Sequence, residues 1–195
     1  MRYLIDRYIR AEESEKISTF DDFSLIQLIV NRGVKAVDEL PKSIRNNKEA
    51  VAETIENNVR RLIVDEKPIN PKYYEKMSEL LDTLIKQRRD NAIDYQEYLA
   101  KIAELTKQAA NPQGNQNYPA SLDTPAKRSL YDNLNQNEDL ALAIDKAIRD
   151  NRQDGWRGNK IKAKKIELAI KALLNDADEA LTNSILEIVR EQNEY

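Results

Sequence analysis

At 195 residues the chain is long enough for one domain with a genuine core, and 41% hydrophobic and 33% charged residues with only 4 Gly and 6 Pro describe a helix-rich globular protein. Cysteine and histidine are both absent, which excludes disulfides, thiolate or imidazole metal sites, cysteine nucleophiles and Ser-His-Asp chemistry within the chain. A net charge of -3 provides no overall attraction to nucleic acid, so any polyanion contact has to come from a local patch.

Residues 2–10 predict an amphipathic helix with Leu4, Ile5, Tyr8 and Ile9 on one side. It lacks an N-cap, as expected of a piece of a longer polypeptide. Charges at Arg2, Asp6 and Arg7 break up any signal-like apolar core, and no run reaches the roughly 20 apolar residues of a membrane span. The expected location is therefore cytoplasmic, with no membrane partner. Residues 12–16 read as a loop. Asp21 or Asp22 is the expected cap of a helix carrying Leu25 to Val30 and ending at Gly33, with a short turn through Val37 and Leu40 to Pro41.

Asn46 and Glu49 have capping-box spacing, and Val51, Ile55, Val59, Leu62 and Ile63 mark the helix they open, running to about Val64. Pro68 and Pro71 stop it. Asn70 as N-cap and Pro71 at the first helical position restart a helix, with Ile69 and Tyr74 at the positions of a hydrophobic staple. Its apolar face, Tyr74, Met77, Leu80, Leu81, Leu84 and Ile85, is wide enough to predict a central place in the bundle. The face over residues 93–109 is expected to continue from it directly. Turn formers concentrate in residues 111–121, a long polar loop or sub-boundary. Helices then follow from Thr124-Pro125, over 140–148, over 161–174, and over 181–189 behind Asp176 and Glu179. The expected fold is one all-α, multi-helix domain over residues 1–195.

Residues 151–172 hold seven Lys or Arg against two acids. Arg157, Lys160, Lys162, Lys164 and Lys165 are the candidate nucleic-acid contacts, and Trp156 between two glycines is a candidate base-stacking group. The plainer reading makes Trp156 a core anchor and the cations the solvated outer face of a helix that buries Ile166, Ala169, Ile170 and Leu173. Arg60-Arg61 and Arg88-Arg89 read as solvated helix ends. Glu53 with Glu56, and Glu75 with Glu79, share a helix face as catalytic or metal-binding carboxylates do, but neighbouring Lys and Arg predict surface pairing. Tyr73, Tyr74, Tyr95 and Tyr98 read as packing. No catalytic or metal-binding set is expected, and no phosphate-binding Gly-rich loop occurs.

Residues 53–81, Asp94-Tyr95-Gln96-Glu97-Tyr98-Leu99, the run from Tyr118 to Arg128, and Asp154-Gly155-Trp156-Arg157-Gly158-Asn159 together resemble the C-terminal helical region of the R subunit of type I restriction-modification enzymes. The similarity covers nearly the whole chain. It implies a parent subunit with an upstream nuclease and two helicase-type ATPase domains, using ATP and Mg, and a helical region that assembles with the methyltransferase subunits and the neighbouring helicase domains. No counterpart of the upstream motifs occurs here, so the resemblance carries over no catalytic residue and no cofactor. A duplex-DNA contact through 157–165 is the alternative role.

Overall fold

Short polar side chains set where the helices begin. The computed structural model describes residues 24–112, 114, 118–174 and 179–195. The expected helix over 2–10, the loop over 12–16 and the cap candidates Asp21, Asp22 and Asp176 lie outside the described residues. Within them the chain forms α1 (Leu25–Arg32), α2 (Lys42–Arg45), α3 (Lys48–Glu66), α4 (Pro71–Arg89), α5 (Tyr95–Ala110), α6 (Pro125–Asn133), α7 (Glu138–Asn151), α8 (Lys160–Leu173) and α9 (Glu179–Glu191). Two 3-10 turns, Gly33–Glu39 and Trp156–Gly158, complete an all-α, multi-helix fold with no strand among the described residues.

Ser24 caps α1 in a reciprocal box with Gln27, and Gly33, at φ 60°, ends it in a conformation that a side chain would resist. The cap of α3 falls one residue later than expected. Asn47, not Asn46, adopts the extended backbone, and its Oδ1 accepts from the N–H groups of Glu49 and Ala50. Asn70, Asp94, Thr124, Asn137 and Asn159 cap α4 to α8 in the same way. The expected continuity of α4 and α5 fails, because Asn91 takes a left-handed conformation (φ 53°) and Asp94 starts a new helix.

The apolar faces close into two cores. Leu25 and Ile29 of α1, Val51, Ile55 and Val59 of α3, Met77 and Leu81 of α4, and Tyr98 and Ile102 of α5 meet in the first. Helices α6 to α9 form the second around Leu130, Ile144, Ile148, Ile166, Ile170, Ile185 and Trp156. The polar stretch over 111–121 connects them. Helix α4 packs against α3, α5 and α6, as its wide face predicts. Leu80, expected inside, is 43% exposed.

Each core also encloses a carboxylate held by an arginine and a tyrosine. Arg88 Nε lies 3.0 Å from Glu56 Oε1, to which the Tyr98 hydroxyl also donates at 2.8 Å, and Arg88 reaches Glu49 as well. The Arg88 and Glu56 side chains are only 9% and 7% exposed. They are therefore not the solvated helix end and surface carboxylate expected: the end of α4 lies over α3, and Tyr98 closes the pair off. In the second core Arg149 Nε donates to both oxygens of Asp145 at 3.1 and 3.0 Å, and the Tyr195 hydroxyl donates to Oδ1 at 2.7 Å. Burial, and then the bond to the carboxylate, pushes both tyrosine hydroxyls well above their ordinary pKa.

A polar seam joins the cores. The Ile69 carbonyl accepts from Ser129 Oγ at 2.6 Å and from Gln192 Nε2 at 2.7 Å. Asn70 Oδ1 accepts from the Tyr73 N–H at 3.3 Å and from Asn133 Nδ2 at 2.8 Å, while its Nδ2 donates to Asp132 Oδ2 at 2.7 Å. Tyr118 donates to that same oxygen at 2.8 Å. The staple residues Ile69 and Tyr74 line a cleft of about 230 Å³ beside this network. Tyr73 and Tyr74 donate to the carbonyls of Gln108 and Ala109 at the end of α5. Burial, with Asp132 nearby, pushes the Tyr73 hydroxyl up to about 12.

Replacing Arg88 with Met should leave the Glu56 charge buried beside Tyr98 alone and destabilise the protein by about 3 kcal/mol. Adding Glu56→Leu should recover much of that loss, read as coupling in urea unfolding. Burial raises the Asp132 carboxyl above its ordinary value, against the hydrogen bonds from Asn70 and Tyr118. A raised carboxyl pKa makes its stabilising contribution complete below the unfolded value and lost as pH rises through the folded one. Asp132→Asn keeps an acceptor for both donors. It should melt above the wild type at pH 7, with the difference closing as the pH falls below the ordinary aspartate range.

Candidate docking surface

The basic segment begins with a turn that places its aromatic inward. Gly155 is left-handed (φ 69°), which swings Trp156 into the second core, where it is 3% exposed. Trp156 is thus the anchor of the plainer reading and has no free face for a base. Its indole Nε1 is buried without a hydrogen-bond partner among the described residues. Arg157 lies 5.1 Å over the indole ring. Its Nε donates to the Arg190 carbonyl at 2.8 Å and another guanidinium nitrogen donates to the Gln192 carbonyl. A cation on the carbonyls at the end of α9 satisfies groups the helix leaves open and complements its dipole. Arg157, expected as a nucleic-acid contact, is engaged within the fold.

The lysines divide. Lys162 Nζ donates to the Asp154 carbonyl at 2.7 Å, and Lys164 pairs with Glu167 one turn along. Lys160 and Lys165 are exposed, and no ion pair or hydrogen bond holds either side chain among the described residues. The structure therefore does not gather the five cations into one free cluster.

It reveals an aliphatic face in their midst. The inner arc of α8 buries Ala163, Ile166 and Ile170. On the outer arc Ile161 is 76% exposed and Leu168 55% exposed, with Ala172 also exposed. Leu173, expected inside, is turned outward at 37%, and Ala169 is half-buried. Charge counting passed over Ile161 and Leu168. The available signal was their separation by two helical turns on the arc opposite Ile166 and Ile170, a helix apolar on two sides. Single exposed aliphatics are ordinary; here two are aligned along one helix. Two further exposed aliphatics lie elsewhere. Val64 stands on α3, and Leu80 borders a groove of about 310 Å³ between α4 and α5 with Leu84 and Leu105.

The two carboxylate pairs have different surroundings. Glu53 is exposed while Glu56 is buried against Arg88 and Tyr98, and Glu75 pairs with Lys72 on the surface. Among the described residues, no group of three or more acids is placed to hold a metal, and no helix is long and apolar enough to cross a membrane. Compared with known family models, curated proteins and solved structures, the chain matches none.

Arg157→Met should lower stability by about 1–3 kcal/mol, since two carbonyls at the end of α9, one of them part-buried, lose a charged donor. Lys160→Gln with Lys165→Gln should stay within about 0.5 kcal/mol of the wild type, as surface changes do. Parallel urea titrations of the two variants make the comparison.

Proposed function

We propose that the chain is a helical assembly and coupling module, and that its parent is the R subunit of a type I restriction enzyme. In this reading it docks an ATP-dependent DNA translocase and endonuclease onto the methyltransferase subunits and against the helicase domains of the same polypeptide. The docking role is carried by one observation, the outward Ile161 and Leu168 of a helix whose other side is already buried. The assignment to restriction enzymes rests on the resemblance of residues 53–81, 94–99, 118–128 and 154–159 to that subunit's helical region. Nuclease and ATPase chemistry, with ATP and Mg, belongs to the upstream domains of the parent.

Duplex DNA is the weaker occupant for the same face. Phosphates are held by donors, and the most exposed side chain on the helix is an isoleucine, while Arg157, Lys162 and Lys164 already have partners within the fold. A full-length R subunit carrying Ile161→Asp and Leu168→Asp should bind its methyltransferase at least about tenfold more weakly, as expected when two buried aliphatics are replaced by charge. Unchanged affinity in a calorimetric titration, with the variant's melting temperature intact, would remove this face from the assembly.

A further inference from the structure

The cleft beside the polar seam receives one charge from each core, and the two do not pair. Glu66, the last residue of α3, and Arg128, in the first turn of α6, both line its volume of about 230 Å³, and both are half-buried. The Glu66 carboxylate has no hydrogen bond and no ion pair among the described residues. Arg128 is held in place without an acid: its Nε donates to the Leu122 carbonyl at 2.8 Å, and its guanidinium lies 5.4 Å over the Tyr118 ring. Its two terminal nitrogens make no hydrogen bond among the described residues.

The helix ends reinforce this separation. Glu66 stands at the C-terminal end of α3, and Ala109 and Ala110 bring the C-terminal end of α5 to the same cleft. Carbonyl ends and a carboxylate together make that side negative. Arg128 adds its charge to the N-terminal end of α6, which is positive already. Each charge thus strengthens the dipole of its helix end, where the usual placement would oppose it. Burial first, and then the nearby Glu66 charge, push the Tyr74 hydroxyl on the negative side above its ordinary pKa. Leu62 and Ile69 add apolar wall between the poles.

We infer that this cleft binds a small zwitterion, an ammonium and a carboxylate on a compact apolar body, of which an apolar α-amino acid is the simplest member. The ammonium sits with Glu66 at the carbonyl ends of α3 and α5. The carboxylate takes the two terminal nitrogens of Arg128, a planar fork suited to it, and the apolar body covers Leu62 and Ala109. Opposite charges drawn partly out of water and left apart are costly, and a ligand carrying only one charge would satisfy one pole and leave the other. The walls come from both cores, as in many small-molecule sites, so the ligand also bridges the seam. This site is separate from the exposed face of α8 and does not depend on the docking reading.

Matched ligands test the inference on the chain. Leucine and phenylalanine are compared with their amines, 3-methylbutylamine and phenethylamine, and with their acids, 4-methylpentanoate and 3-phenylpropanoate, by chemical-shift titration. At least one amino acid should bind about tenfold or more tighter than both of its single-charge analogues. Glu66→Gln should lower that amino acid to the affinity of its acid analogue while leaving the melting temperature unchanged. Arg128→Lys, which keeps the charge and loses the fork, should weaken binding less than Arg128→Gln. The inference is lost if neither amino acid binds, if an amine or acid binds as tightly as its amino acid, or if binding survives Glu66→Gln undiminished. None of these outcomes bears on methyltransferase affinity, which the substitutions at Ile161 and Leu168 probe.

Discussion

The junction at Ile69 and Asn70 decides how the two cores sit against each other. In an unbroken helix the Tyr73 N–H would bond back to the Ile69 carbonyl. Pro71 has no N–H to carry the helix through, and Asn70 takes the Tyr73 N–H with its own side chain. The Ile69 carbonyl is thereby released from α4 and turned to Ser129 and Gln192 in the other core. One interruption thus serves both as a helix cap and as a socket. The same Asn70 Oδ1 also accepts from Asn133, and its Nδ2 donates to Asp132, so the interface is specified by directional bonds where an apolar one would tolerate sliding.

The cores on either side meet a common problem in a common way. Glu56 and Asp145 are both carboxylates within apolar packing, each gripped by an arginine and capped by a tyrosine hydroxyl. Such sets contribute little net stability over apolar packing, but breaking one is costly. The first set ties α3, α4 and α5 together, and the second, its ion pair within α7, ties Tyr195 to that helix. Asp132 differs, since its direct partners are neutral amide and hydroxyl donors. That is why burial prevails there and lifts its proton affinity, while Glu49, exposed beside Arg88, is held below the ordinary carboxylate range by that guanidinium.

What could be read from residues alone follows the range of the forces involved. Asn70, Pro71, Thr124 and Gly33 act within a turn of themselves, so helix limits near them were legible, and the error at Asn46 was one residue. The fate of a long side chain was not. Arg88 and Arg157 each sit at a helix end where solvent is the ordinary destination, yet each meets acceptors supplied from a distant part of the chain, Glu56 for one and the end of α9 for the other. Leu80 and Leu173 were assigned inward because they continue an apolar run, and only the packed neighbours decide which arc of a wide face is covered. The charge over 157–165 likewise says nothing of which aliphatic side chains of α8 lie exposed between its lysines.

The bond from Gln192 to Ile69 spans 123 positions, and that separation has a temporal side. A ribosome adding about 5–20 residues per second makes Gln192 roughly 6–25 seconds after Ile69. Every residue of the first core is made before that interval is half over, and so is Ser129, the other donor to the same carbonyl. Gln192 adds a second donor to an acceptor made well before it. The proline-bounded turn therefore presents its acceptor long before the later of its two donors is made.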